Sequence, residues 1–231
     1  MKTYKNTVLI TGGSTGIGLE LARLLSALGN KVIITGVDKI ELHRISRLHK
    51  NIETLYCDLT NEEDVEKMII RIQNKFEQLN VFINNSGQSY LESKEHLTAQ
   101  CPDVLLSQYL AGIRIAEALL PILEQKQKAT IIDTSLLTIG FLQNTSIFGT
   151  IQNITDSYNK LLRHKLRKSK VEVPDLQAYL FFDQNSSPVI VALRLIEAIY
   201  NKNGVLSSTA EKNYDYVNTA GFSRNLNNQV N

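Results

Sequence analysis

The segment Thr11-Gly12-Gly13-Ser14-Thr15-Gly16-Ile17-Gly18 lies between an apolar run, Thr7-Val8-Leu9-Ile10-Thr11, and a helical pattern from Leu19 to Leu28. Few folds place three or more glycines between a strand and a helix. One glycine turns the chain sharply, one lets backbone approach a pyrophosphate, and one lets the helix pack close to the strand. The N–H groups at the helix start can then hold the anion. The spacing is Gly-x-x-x-Gly-x-Gly rather than the commoner Gly-x-Gly-x-x-Gly, and its strand and helix flanks lift it above a chance match. Gly12, Ser14, Gly16, Ile17 and Gly18 are the candidate phosphate contacts.

The same alternation of strand and helix continues along the chain. Further strands are expected at Lys31–Thr35, Thr54–Asp58, Val81–Asn84, Ala129–Asp133 and Val171–Val173. Helical patterns separate them: Ile40–Leu48 with Asp38 and Glu41 as a capping box, a second opened by Thr60 and Glu63 and running to about Phe76, then Pro102–Leu123 and Ile151–Arg167. Ser187 followed by Pro188 opens a last helix that ends at Gly204, cap before N1. Gly29 is placed as the C′ residue of the first helix. Repeated βα units of this kind predict an α/β fold, a doubly wound parallel sheet of Rossmann type in a single domain over residues 1–206. Residues 207–231 form a polar, Asn-rich C-terminal tail, either a loosely packed edge or an interface arm.

Composition narrows the functional classes. A chain of 231 residues with 43% hydrophobic and 21% charged residues can bury a core without disulfide staples and is neither disordered nor fibrous. A net charge of +2 is too small to point to nucleic acid or an anionic membrane, and no unbroken apolar run of membrane-spanning length occurs. The one basic run, Arg163 to Lys170, suits a helix C-terminus. Cys57 and Cys101 make no Cys-x-x-Cys pair, and the N-terminus lacks a secretory pattern, so a cytoplasmic address is expected. His43 and His49 are six apart, not three or four, and no metal site is expected.

The glycine spacing, Asp58-Leu59 after the third strand, Asn84-Asn85-Ser86-Gly87 after the fourth and Pro121 before the fifth together resemble the short-chain dehydrogenase/reductase family, over roughly Thr7 to Arg167. The resemblance implies a nucleotide cofactor, NAD or NADP, with Asp58 and Leu59 at the adenine and Asn85, Ser86 and Gly87 lining the site. Cofactor preference in this fold is set after the second strand, by an acid for the ribose hydroxyls or an Arg for a 2′-phosphate. Gly36 and Val37 occupy those positions and supply neither, which leaves the preference undetermined and the affinity open to being weak. Asp38 is the nearby acid, with helix capping as the competing role. Lys39 and Arg44 could meet a phosphate or simply be solvated helix charges. Beyond Lys170 the resemblance fades: Val173-Pro174-Asp175-Leu176 replaces the family's Pro-Gly segment, implying a shortened or rebuilt substrate lid.

By the same resemblance a Ser, a Tyr thirteen residues later and a Lys four beyond that carry proton transfer. Ser135 keeps its place, whereas the Tyr and Lys positions are Phe148 and Gln152. Phe has no hydroxyl and Gln no charge to lower a neighbour's pKa. The family's Asn on the preceding helix falls on Tyr109, a speculative substitute hydroxyl, with Tyr158 weaker. Tyr90 and Lys94 repeat the Tyr-x-x-x-Lys spacing after the wrong strand. Two readings stand: a nucleotide-binding protein whose catalysis is absent or weak, or an active NAD(P)-dependent oxidoreductase acting on a carbonyl or alcohol through Ser135 and an unusual donor. The resemblance also implies a homo-oligomer, or pairing with an active relative, through helices near Gln108–Leu120 and Ile151–Arg167.

Overall fold

A computed structural model describes residues 4–85, 101–138, 146–176 and 186–200. Its strands are β1 (Thr7–Ile10), β2 (Lys31–Gly36), β3 (Ile52–Tyr56), β4 (Leu79–Asn84), β5 (Ala129–Asp133) and β6 (Val171–Glu172). The helices are α1 (Gly16–Ala27), α2 (Lys39–Leu48), α3 (Glu62–Lys75), α4 (Cys101–Glu124), α5 (Ser135–Thr138), α6 (Ser146–Leu166) and α7 (Pro188–Tyr200). All strand pairs are parallel, in the order β3-β2-β1-β4-β5-β6. The chain therefore reverses its direction of travel between β1 and β4, and a crevice opens there at the carboxyl ends of the strands, where this architecture binds ligands. The doubly wound fold read from the sequence is the observed one.

Two apolar layers cover the sheet, as strands buried on both faces require. On one side α1, α2 and α7 pack through Leu21, Leu25, Ile45, Leu195 and Ile196. On the other, α3, α4 and α6 bring Ile72, Ile115, Leu119, Leu123 and Leu162 against Leu9 and Phe82. The window Asp103–Glu124 within α4 is long and apolar enough on average to cross a membrane, although charges break it into shorter apolar runs. Half of it is buried inside the fold, as a central helix demands.

Several element ends depart from the sequence expectation. Ile52 and Glu53 pair with Val32 and Ile33, so β3 starts and stops two residues early. The cap of α3 is Asn61, not Thr60: the Asn61 side chain accepts from the Glu63 and Asp64 amides, while the Thr60 hydroxyl donates to Asp58. Asp38 does cap α2, but Glu41 turns to Arg44 instead of closing the box. α6 begins at Ser146, five residues before Ile151. The end of α1 is as read, with Gly29 at φ 83° and the Gly29 and Asn30 amides donating back to Ser26 O and Leu25 O. Arg163, His164 and Lys165 occupy the last turn of α6. The expected helix end at Gly204, the tail 207–231, and Tyr90 with Lys94 lie outside the described residues.

At the amino edge of the sheet a buried amide network ties separate segments together. Asn30 Oδ1 accepts from the Asn6 backbone and side chain at 3.0 and 2.7 Å, Asn30 Nδ2 donates to Leu25 O, and Asn80 Nδ2 donates to Asn6 Oδ1. Replacing Asn30 by Ala strips partners from buried groups, and such groups cost about 1–3 kcal/mol each when left unmade. The expected result is a loss of about 2–3 kcal/mol with an unchanged denaturant slope. Circular dichroism is the readout, because the chain has no Trp.

Candidate functional site

The glycine loop crosses the crevice. Gly12 and Gly16 have φ of 61° and 53°, the left-handed region that side chains resist. The Gly13 amide donates to Thr35 O at 2.9 Å and the Gly12 amide to Thr35 Oγ1 at 3.3 Å, so β2 holds the loop from one side. Asn85 holds it from the other. Fully buried, it donates from its backbone to Thr11 Oγ1 and from Nδ2 to Gly12 O, and accepts from Thr134 Oγ1. Its side chain thus joins the ends of β1, β4 and β5 and fixes the loop.

The start of α1 differs from its neighbours. Asp38 and Asn61 each accept two amides at the starts of α2 and α3, whereas Thr15, the N-cap of α1, makes no side-chain capping bond. No acidic residue stands in the first turn of α1. An anion at this helix end would meet the positive dipole without a competing carboxylate. Ile17 is buried in the core, so it can offer only backbone to a phosphate, and Ser14 is buried against Gly36. The residues present fit a dinucleotide phosphate.

Asp58 follows β3. Its Oδ1 accepts from the Thr60 amide at 2.9 Å and hydroxyl at 2.7 Å, and its backbone N–H donates to Asp64. Leu59 packs on the α3 and α4 layer and lines a cavity of about 320 Å³ with Thr60, Leu110 and Arg114. Ser86 and Gly87 lie outside the described residues.

Ser135, at the end of β5, is 2% exposed, and its hydroxyl donates to Asp133 Oδ1 at 2.5 Å. The same oxygen accepts the Ser135 amide, and Asn84 Nδ2 donates to Oδ2 at 3.3 Å. Burial holds the Asp133 carboxyl above the usual range, against the pull of these hydrogen bonds. Asp133 was not singled out from the sequence, where it reads as a strand end. The available signal was a carboxylate closing an otherwise apolar strand two residues before the retained Ser.

Phe148 sits on α6 in a small apolar cluster with Leu105, Tyr109, Ile151 and Leu136, the neighbour of Ser135. Gln152, one turn on, is exposed. Tyr109 is 2% exposed, near Thr155 and facing the Asp133 charge. Burial first, and that charge second, keep its phenol protonated well above the ordinary Tyr range. The Tyr158 hydroxyl donates to Glu117, and burial likewise raises its pKa. Gly112 lets α4 touch β4, since a Cβ there would come within 2.5 Å of Asn84 Nδ2. Among the described residues no cluster of three His, Cys, Asp or Glu side chains could hold a metal.

Residues 6–178 match the family model described as short chain dehydrogenase. The chain belongs to this family. The chain is 34% identical over 181 residues to the "Uncharacterized oxidoreductase DltE" of Bacillus subtilis (strain 168), spanning 76% of this chain and 71% of that one. It is similar in fold to a Sphingobium yanoikuyae short-chain dehydrogenase in complex with NADPH, at TM-score 0.59 and 25% identity, covering 73% of this chain and 69% of that one. It is similar too to a 3-ketoacyl-(acyl-carrier-protein) reductase from Brucella melitensis complexed with NADH, at TM-score 0.60 and 21% identity, covering 74% of each chain.

Proposed function

We propose that this short-chain dehydrogenase binds a nicotinamide dinucleotide across the carboxyl edge of its sheet, and that hydride transfer there is absent or slow. The observation that carries the first half is the start of α1, left without a side-chain cap beside a loop with two left-handed glycines. The backbone of the loop around Gly16 would admit the pyrophosphate while Gly12 and Gly18 let the loop and α1 pack closely on Asn85, with Asp58 and Leu59 toward the adenine. The cofactor, when bound, supplies hydride chemistry. The second half rests on Phe148 and Gln152, since neither can give, take or tune a proton at the position where the family holds Tyr and Lys.

Tyr109 makes a poor replacement, because its phenol is enclosed and its pKa is driven away from neutrality. One observation favours the rival reading of an active oxidoreductase: Asp133, held above the usual carboxyl range, lies one hydrogen bond from Ser135. In its protonated form it would place a transferable proton beside the retained hydroxyl. Calorimetry with NAD, NADH, NADP and NADPH, followed by turnover assays with a panel of alcohols and carbonyls, separates the readings. Binding with turnover at least about 10²-fold below an active relative is expected. Ordinary rates at neutral pH would establish the rival, and no binding by folded protein would leave neither standing.

A further inference from the structure

The small net charge of +2 conceals an uneven distribution. In this parallel sheet every strand starts at one edge, and each helix that leads into the next strand ends there too. That amino edge, on the far side of the sheet from the glycine loop, is built from residues 4–7, 27–31, 47–53, 74–79, 124–129 and 166–172. These segments hold ten Lys and Arg residues against four Glu and no Asp, so the rest of the chain is net negative. Two of the four carboxylates are already engaged: Glu53 pairs with both Lys31 and Lys75, and Glu172 lies 3.4 Å from Lys128. Among the described residues Lys50, Lys168 and Lys170 are exposed and have no ion pair.

Helix polarity does not account for this surplus. The negative end of a helix dipole favours cations only within about its last turn. α1 and α4 have no basic residue in their last turns, yet Lys31, Lys126 and Lys128 follow them near the strand starts. The charge is also broad: six strands about 4.8 Å apart carry this face across about 24 Å. Two apolar side chains protrude among the cations, Tyr4 at 52% exposure and Leu48, at the end of α2, at 63%. Beside them a recess of about 390 Å³ is lined by Lys31, Lys50, Asn51 and Glu53. A single-stranded nucleic acid is held by a row of stacking rings, whereas Tyr4 is the one exposed ring among the described residues of this face. A wide cationic face with a protruding Tyr and Leu instead complements a plane of anionic headgroups above acyl carbon.

We propose that the amino edge docks reversibly on an anionic phospholipid surface, which leaves the crevice at the carboxyl edge facing away from the bilayer. Each Lys or Arg close to such a surface strengthens binding by about fivefold. The test is cosedimentation of the full chain with vesicles of phosphatidylcholine alone, and of phosphatidylcholine with an equal part of phosphatidylglycerol. Expected are binding to the anionic vesicles, little to the neutral ones, and release as salt is raised. Lys168→Gln with Lys170→Gln should weaken binding by about 25-fold, and Lys31→Gln with Lys50→Gln by a similar factor. These pairs lie at opposite ends of the sheet, so each checks the other should one variant fail to fold. Lys67→Gln with Arg71→Gln removes the same charge from the flank of α3 and should leave binding within about twofold. No binding of the natural protein to anionic vesicles, equal binding to neutral ones, or an equal loss in the α3 pair would overturn the proposal. Tighter binding to duplex RNA than to anionic vesicles at the same salt would assign the face to nucleic acid and overturn it as well.

Discussion

A Phe148→Tyr, Gln152→Lys double variant is expected to transfer hydride at least about 10²-fold faster than the natural chain, because general acid–base help is worth about 10²- to 10⁴-fold. The two positions are one turn apart on α6, so a phenol and an ammonium would share a face. Phe148 and Leu136, the neighbour of Ser135, pack on the same small apolar cluster. Each single change should do much less. A Tyr without the cation keeps a pKa near about 10, and a Lys without the Tyr has no acid to tune. Cofactor affinity must be measured on the same variant, since misplacement of the reacting atoms by about an ångström can cost about 10²-fold on its own. Tight NAD(P)H binding with no hydride delivered to activated diketones and quinones would show that Phe148 and Gln152 are not what limits hydride transfer. In that event the Ser135 proton, committed to Asp133, becomes the next suspect, and Asp133→Asn in the double variant would test it.

Gly18→Ala is expected to be among the most damaging single-methyl changes in the chain. The added Cβ would lie 2.5 Å from Gly12 O and from Asn85 Nδ2, and 3.0 Å from Gly13 Cα. Asn85 cannot swing away, because it is fully buried and bonded to β1, β5 and the loop itself. Either α1 lifts from β1 or the loop deforms. Overpacking of this kind costs about 1–3 kcal/mol in stability, and the displaced loop should lose dinucleotide binding as well. Gly149→Ala is the matched control, with nothing within 4 Å of its added Cβ on α6. That change should stabilise by about 0.5–1 kcal/mol. Thermal melts followed by circular dichroism, with calorimetry on both variants, check the pair. A Gly18→Ala protein as stable and as competent in binding as Gly149→Ala would refute the close-packing account.

The order of elements and the parallel sheet could be read from alternating apolar patterns because each helix and strand buries its own face. The ends were harder, since they depend on partners distant in the chain. Ile52 belongs to β3 only because Val32 faces it. Thr60 and Asn61 are equally good caps in isolation, and what separates them is that Asp58 takes the Thr60 hydroxyl. Gly149 and Thr150 look like an interruption before Ile151, yet Ile147 and Phe148 pack against the cluster of Leu105, Tyr109 and Ile151 in a helix that starts at Ser146. In the site, Ser135 and positions 148 and 152 were pointed out by the family resemblance. The link to Asp133 and the close contact of Ser14 with Gly36 were not, because both arise from how side chains meet in the folded crevice.

The packing of α7 on α1 sets a schedule for synthesis. Leu193, Leu195 and Ile196 cover the same apolar layer as Leu21 and Leu25 of α1, yet α7 is made about 160 residues after α1 ends. At roughly 5–20 residues per second, the part of that layer that α7 covers stays bare for roughly 8–30 s. During this interval the strands that will carry the glycine loop can already pair, since β1, β2 and β3 are neighbours in sequence and in space. Their outer surface, however, is sticky. The emerging chain therefore passes through a stage with a paired half-sheet and a bare greasy flank, the stage at which a chaperone or a neighbouring nascent chain competes with α7.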